Sequence, residues 1–157
     1  MNSVSRFDLA LLRWLSIPIF VFLSACASNE VTTGLVDGQF APCPDSPNCV
    51  SSDATDEEHR VEPYRLKAPA RNAWHGLQNV VAGEPGMRLV VVDDTYLHVE
   101  VHSAVMRFVD DTEFNLRADE GIIAIRSAAR TGRSDGGVNR KRIERIRKAL
   151  QTRDLVE

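Results

Sequence analysis

The residues able to do chemistry fall into a few short stretches of the chain. Cys43-Pro44-Asp45-Ser46-Pro47-Asn48-Cys49 holds two thiols with five residues between them. Three readings of the pair stand side by side. A disulfide closing so small a loop contributes about 2 kcal/mol in the chain-entropy model; the others are two free thiols, or metal ligation together with histidine. The spacing is not that of a zinc knuckle or a thioredoxin-like redox pair. His98-x-Glu100-x-His102 puts three metal-ligand types on one face of a strand, like-facing residues being about 6.8 Å apart. Zinc there needs a further ligand from elsewhere, and an ion-paired or solvated face is the usual outcome. Asp110-Asp111-x-Glu113 offers oxygen ligands for a divalent cation, but no EF-hand-like spacing accompanies it. No metal and no cofactor is therefore expected.

Arg126, Arg130, Arg140 and Arg142 carry the most distinctive pattern. With the amides of the Gly132–Gly137 loop and a helix N-terminus beside them, they make a candidate anion site. Lipid headgroups, lipopolysaccharide phosphates or a carboxylate ligand are the anions considered. The competing reading is internal pairing. By strand parity Arg126 and Arg130 share a face, as do Asp111 and Glu113 on the preceding strand, and opposite charges across neighbouring strands support each other. Structural pairing of Asp110, Asp111 and Glu113 is the favoured reading. Ser103 and Ser127 lie in strands without a Gly-x-Ser-x-Gly elbow. A hydrolase triad with His98 or His102 would have to assemble in space. Gly132-x-x-x-Gly136-Gly137 lacks the strand and lysine of a phosphate loop.

A third cysteine makes the count odd. Arg6 and Arg13 precede the apolar run Trp14–Leu23, which is too short to span a bilayer as a helix and has the layout of a secretory signal. Leu23-Ser24-Ala25-Cys26 then resembles the lipobox of bacterial lipoproteins. Cys26 would take a diacylglyceryl group and become the new N-terminus, anchoring the protein to a membrane on the periplasmic side. With Ala27 and Ser28 after it, the outer membrane is favoured over the inner.

These residues need elements to position them. Of the 157 residues, 19 are basic and 22 acidic, a net charge of −3, and 43% are hydrophobic. That is ordinary globular composition, and so mild a charge argues against nucleic acid as a partner. The near-neutral sum hides a segregation: net −9 over 27–115 against net +7 over 116–153. The expected division is a signal peptide over 1–25, a flexible lipidated tether over 26–42, a folded domain over 43–152 and a tail over 153–157. Helical spacing of Ala73, Trp74, Leu77, Val80 and Val81 predicts a helix over 70–82. Strands are expected over 88–92, 96–103, 105–117 (bent at Asp110-Asp111) and 122–128. Ile143, Ile146 and Leu150 predict a helix over 139–152, with Asn139 as its N-cap. The expected fold is α+β, a single domain in the order αββββα, an antiparallel sheet of about four strands with two helices packed on one face.

Three segments carry a resemblance. They are Cys43-Pro44-x-Ser46-Pro47-Asn48-Cys49-Val50-Ser51-Ser52, then Phe108-Val109-Asp110-Asp111-x-Glu113-Phe114, then the long run from Arg126-Ser127-Ala128-Ala129-Arg130 to Asn139-Arg140-x-Arg142-Ile143-Glu144. Together they resemble the domain-of-unknown-function 1499 family. Ala129 stands where that family more often has serine, and Gly136 where it has a larger apolar residue. The resemblance implies a fold and an envelope setting, and it brings no reaction. The expected function is a non-enzymatic binding or accessory module of the cell envelope, its arginine-rich site taking an anion or an envelope protein partner. A hydrolase acting on an envelope component and a structural accessory of a membrane complex are the alternatives.

Overall fold

A computed structural model of the chain describes residues 32–103 and 108–157. The expected signal peptide and the expected lipidation site Cys26 lie outside the described residues. Within them the chain is α+β, with eight strands in two sheets rather than about four in one. A small hairpin comes first, β1 (Leu35–Val36) with β2 (Gln39–Phe40). The main sheet holds β3 (Cys49–Ser51), β4 (Tyr64–Arg65), β5 (Met87–Val92), β6 (Tyr96–His102), β7 (Val109–Arg117) and β8 (Ile122–Ala129). Its order is β3-β8-β7-β6-β5, β4 also pairing with β8, and every pairing is antiparallel. Helix α1 (Ala70–Ala82) precedes β5 and α2 (Val138–Gln151) follows β8. The order is therefore ββββαββββα, not αββββα. The four extra strands are two or three residues long, too short for alternation to register in a sequence.

The expected bend at Asp110-Asp111 is absent: β7 runs straight through both residues. The ladder to β6 and β8 supplies the backbone partners that a bend would forfeit. Alternation puts Leu97, Val99 and Val101 of β6, Phe114 of β7, and Ile123 and Ile125 of β8 on one face. They join the apolar stripes of α1 and α2 in a single core cluster. Trp74 and Leu77 of α1 are at most 2% exposed. Tyr64 crosses this core, donates its phenolic O–H to the carbonyl of Ile143 at 2.8 Å, and lies under the guanidinium of Arg147.

Asp135, not Asn139, caps α2. Its carboxylate accepts the backbone N–H groups of Gly137 and Asn139, each at 2.8 Å. Asn139 is one residue inside the helix and fully buried, so its amide is free to serve the interior.

Two flanking stretches belong to the fold. Residues 32–42, polar enough to read as tether, hold the β1–β2 hairpin, and Phe40 at its end is 5% exposed. Polarity here reflects backbone-to-side-chain bonding: Gly34 N–H reaches Glu113 at 2.6 Å and Phe40 N–H reaches Asp53 at 3.1 Å. At the other end, Val156 bridges Leu66 and is 2% exposed. Leu155 fills the space left by Gly76, where an added Cβ would sit 2.1 Å from it.

Gly86 opens β5 at φ +78°, and a Cβ there would sit 2.7 Å from the backbone oxygen of His102. A flexible side chain can move away, but this atom is held in the ladder. Gly86→Ala is expected to cost about 2 kcal/mol from the left-handed backbone plus the clash, read as a lowered urea midpoint with unchanged slope.

Candidate functional site

Alternation on β6, β7 and β8 sends one set of side chains away from the helices; Val109, Ile122, Ala124 and Ala128 are apolar and the rest are polar. From the β8 side the polar ones include Arg126 and Arg130, then Asp111 and Glu113, then Tyr96, His98, Glu100 and His102, with Arg88 on β5. The register makes them neighbours: Glu113 lies opposite both Arg126 and His98, and Asp111 lies opposite Glu100. Arg126 donates from Nη1 to Glu113 Oε2 at 2.9 Å, with side chains 1% and 0% exposed. Arg130 grips Asp111 through two bonds of 2.7 Å, from Nε to Oδ2 and from Nη2 to Oδ1. It also donates to Glu100 at 2.7 Å, and Arg88 pairs with the same carboxylate. His98 Nε2 lies 2.7 Å from Asp111 Oδ1, and Tyr96 donates to Glu113 at 2.7 Å. Three arginines thus meet three carboxylates in a ladder across four strands. The hairpin segment closes one end of it through Gly34.

The electrostatics follow from these contacts. Burial pushes Asp111 up, but the hydrogen bonds from Arg130 and His98 outweigh it and hold the carboxyl at about 2. Hydrogen bonds from Arg88 and Arg130 hold Glu100 at about 2 as well. Arg130 is raised in turn by Asp111 and Glu100. Burial, and then its bond to Glu113, raises Tyr96. A depressed folded-state pKa means stability that is complete above the unfolded value and lost as pH falls through the folded one. Unfolded carboxylates titrate near 4, so the loss is expected between about pH 4.5 and pH 2. For Asp111 it is on the order of 2 kcal/mol. Urea titrations across that range check it, and Asp111→Asn should flatten the slope.

The opposite face of the same strands carries a second polar group beneath α2. Ser127 Oγ lies 2.8 Å from Thr112 Oγ1 and donates to Asn139 Oδ1 at 2.6 Å. Arg142 donates to Ser127 at 3.0 Å, to Asn139, and to Asp110 at 2.6 Å. Asn139 Nδ2 donates to the carbonyl of Asn48 at 3.1 Å, and Asn48 donates to that of Gly132 at 2.6 Å. The network therefore ties α2 and β8 to the loop 43–49, in which a disulfide joins Cys43 to Cys49.

The four arginines do not converge. Arg126 and Arg130 are on one face of the sheet and Arg142 on the other. Arg140 lies outside both, donating to the backbone carbonyls of Arg60 and Glu58, each at 2.8 Å. Arg140 instead borders an open depression of about 560 Å³ with Glu57, Arg60, Glu62, Glu144 and Arg147, three acids among three bases. Asp110 is parted from Asp111 and Glu113 by the same alternation. Ser127 and His98 face opposite ways, and Ser103 Oγ accepts the backbone N–H of Phe108 at 2.9 Å. Among the described residues no three His, Cys, Asp or Glu side chains are grouped to hold a metal ion.

Several members of these groups escaped sequence reasoning. Thr112 has no charge or motif to betray it, and Asn48 enters only as a member of the Cys43–Cys49 motif. Asp53 binds Arg117 through two bonds of 2.9 and 2.7 Å over 64 positions, a distance no local pattern reports. The edge position of β5, a strand expected over 88–92, was not legible: Leu89, Val90 and Val92 are 37%, 41% and 51% exposed. Its β-branched run read as an ordinary strand, and only the sheet order puts it at a rim.

Comparison with known proteins gives one match. No curated protein and no solved structure matches the chain. A family model described as "Protein of unknown function (DUF1499)" matches residues 39–150, from the second strand of the hairpin to the last turn of α2. Since that span holds both polar networks and the whole of the main sheet, the chain belongs to the DUF1499 family of proteins of unknown function.

Proposed function

We propose that this chain is a lipid-anchored protein of the cell envelope whose domain works by surface contact with a protein, as a non-enzymatic binding or accessory module. One observation carries the reading. The residues with chemical potential are spent on the fold, while three of the six large apolar side chains exposed among the described residues, Leu89, Val90 and Val92, lie together on one edge strand. Arg126, Arg130 and Arg142 each have a carboxylate of their own chain, so an anion would have to displace an internal partner. Ser127 is bonded into the interior beneath α2, away from His98, and this disfavours the hydrolase reading. Leu89 and Val92 on β5, by contrast, cost apolar exposure that a contact would remove.

Lipid anchoring at Cys26 is tested by feeding cells an alkyne-tagged palmitate. Label on the wild type that disappears in Cys26→Ala supports the anchor, and undiminished label in the variant overturns it. For the contact, a photo-crosslinking amino acid at position 92 or 140 of the full chain is irradiated in membranes. Protein adducts at 92 and none at 140 are expected. Lipid adducts at 140 with nothing at 92 would replace the protein reading by an anionic-lipid one.

A further inference from the structure

The edge strand β5 is its own complement. With Asp93, the residue that follows it, the run reads Arg88-Leu89-Val90-Val91-Val92-Asp93, a cation at one end, an anion at the other and four apolar residues between. Its pairing with β6 is interrupted by a bulge between Leu89 and Val91. This bulge decides which side chains share a face. Arg88 lies opposite Glu100 and Val91 opposite His98, on the polar face, and Asp93 follows two residues on from Val91. Leu89 lies opposite Val99 and Val92 opposite Leu97, on the helix face. The far edge of β5 pairs with no described strand.

We infer that β5 pairs antiparallel with β5 of a second copy about a two-fold axis, joining two six-stranded sheets into one. The inference rests on the protein-contact reading above and names its partner. In an antiparallel pair, residues directly opposite each other share a face. The register that sets Arg88 against Asp93 of the copy also sets Leu89 against Val92 and Val90 against Val91. Without the bulge Arg88 and Asp93 would point to opposite faces and no register would bring them together. The bulge gives the strand its palindrome, where at an edge it would otherwise serve only to discourage pairing. Asp93 is exposed and forms no ion pair among the described residues, and Arg88, whose side chain is 65% exposed beside Glu100, can take the copy's Asp93 as a second carboxylate. Leu89 and Val92 of both copies, 37% and 51% exposed in one chain, would close into a four-residue apolar patch beside the helices. Such an interface is isologous and closed, each contact occurring twice. A different protein on this edge would need the same charge pattern by coincidence, whereas a second copy has it by symmetry.

The test is a charge swap in the full chain, read by sedimentation in density-matched detergent. The wild type is expected at twice the monomer's protein mass. Asp93→Lys and Arg88→Glu should each return it to monomer at the same concentration, by setting like charges opposite each other. The double variant Arg88→Glu/Asp93→Lys should restore the dimer, which a merely misfolded single variant cannot explain. A monomeric wild type, or a folded double variant no more associated than the singles, overturns the inference. A photo-crosslinker at position 90 separates its failure from that of the broader reading. Adducts between copies support self-pairing. Adducts to another protein overturn self-pairing and leave the protein-contact reading standing, while no protein adduct overturns both.

Discussion

Glu113→Ala is expected to destabilise the domain by about 3–5 kcal/mol, the range for removing one partner of a buried ion pair. Glu113 is fully buried and takes three donors: Arg126 Nη1, the Tyr96 hydroxyl and the Gly34 amide. Its removal leaves the Arg126 guanidinium, 1% exposed, with no described counter-charge. The Nε of Arg126 already lacks a partner among the described residues, so nothing nearby can take over. Domains of this size hold only about 5–15 kcal/mol in all, and the variant should unfold well below the temperature of the wild type. Glu113→Gln keeps the shape and an acceptor, and should cost less. In the double variant Arg126→Met/Glu113→Leu an apolar pair replaces the ion pair, which is often neutral. It should recover much of the loss. Urea unfolding followed by circular dichroism gives all three values, and a double variant as unstable as Glu113→Ala would show that the charges themselves are required.

Arg142→Ala is the second large effect, expected at about 3 kcal/mol. The guanidinium is 5% exposed and serves Asp110, Ser127 and Asn139 together. Its loss strips Asp110 of its counter-charge and leaves a cavity under α2. The distinguishing readout is where the structure loosens. Asn139 holds the carbonyl of Asn48, and the amide of Ala129 donates to the same carbonyl. Hydrogen exchange should therefore quicken across the loop 43–49 and at the end of β8, while β5 and β6 stay protected. Uniform quickening would mean that Arg142 matters only through the global stability.

The long elements could be read from the chain because their periodicity is unbroken. Leu97, Val99 and Val101 alternate without exception, and the Ala73–Val81 stripe admits only a helix. Parity also put Arg126 with Arg130 and Asp111 with Glu113, and the favoured pairing of those charges follows from side-chain alternation alone. Where the reading went astray, the deciding contact was distant in sequence. Strands β3 and β4 exist because β8 offers them a ladder across more than 50 positions, and the hairpin is held by Glu113 and Asp53. Asn139 looked like a cap because its local setting suits one. Asp135, four residues earlier, reached its amide first. Arg140 and Arg142 sit two positions apart on a helix, about 200° around its axis. They could not both face one site, so the four-arginine cluster dissolved in three dimensions.

The central claim is that the arginines hold the fold and the rim strand meets the partner. The most direct measurement is the yield of protein adduct from a photo-crosslinker at position 90, in membranes holding the full chain with either Arg130→Met or Val92→Lys. Of Arg126, Arg130 and Arg142, Arg130 is the most exposed and the one an external anion would reach. The account predicts an adduct that survives Arg130→Met, with a lowered unfolding midpoint, and is lost in Val92→Lys, with the midpoint nearly unchanged. An adduct lost in Arg130→Met and kept in Val92→Lys would contradict it and return the arginines to the binding site.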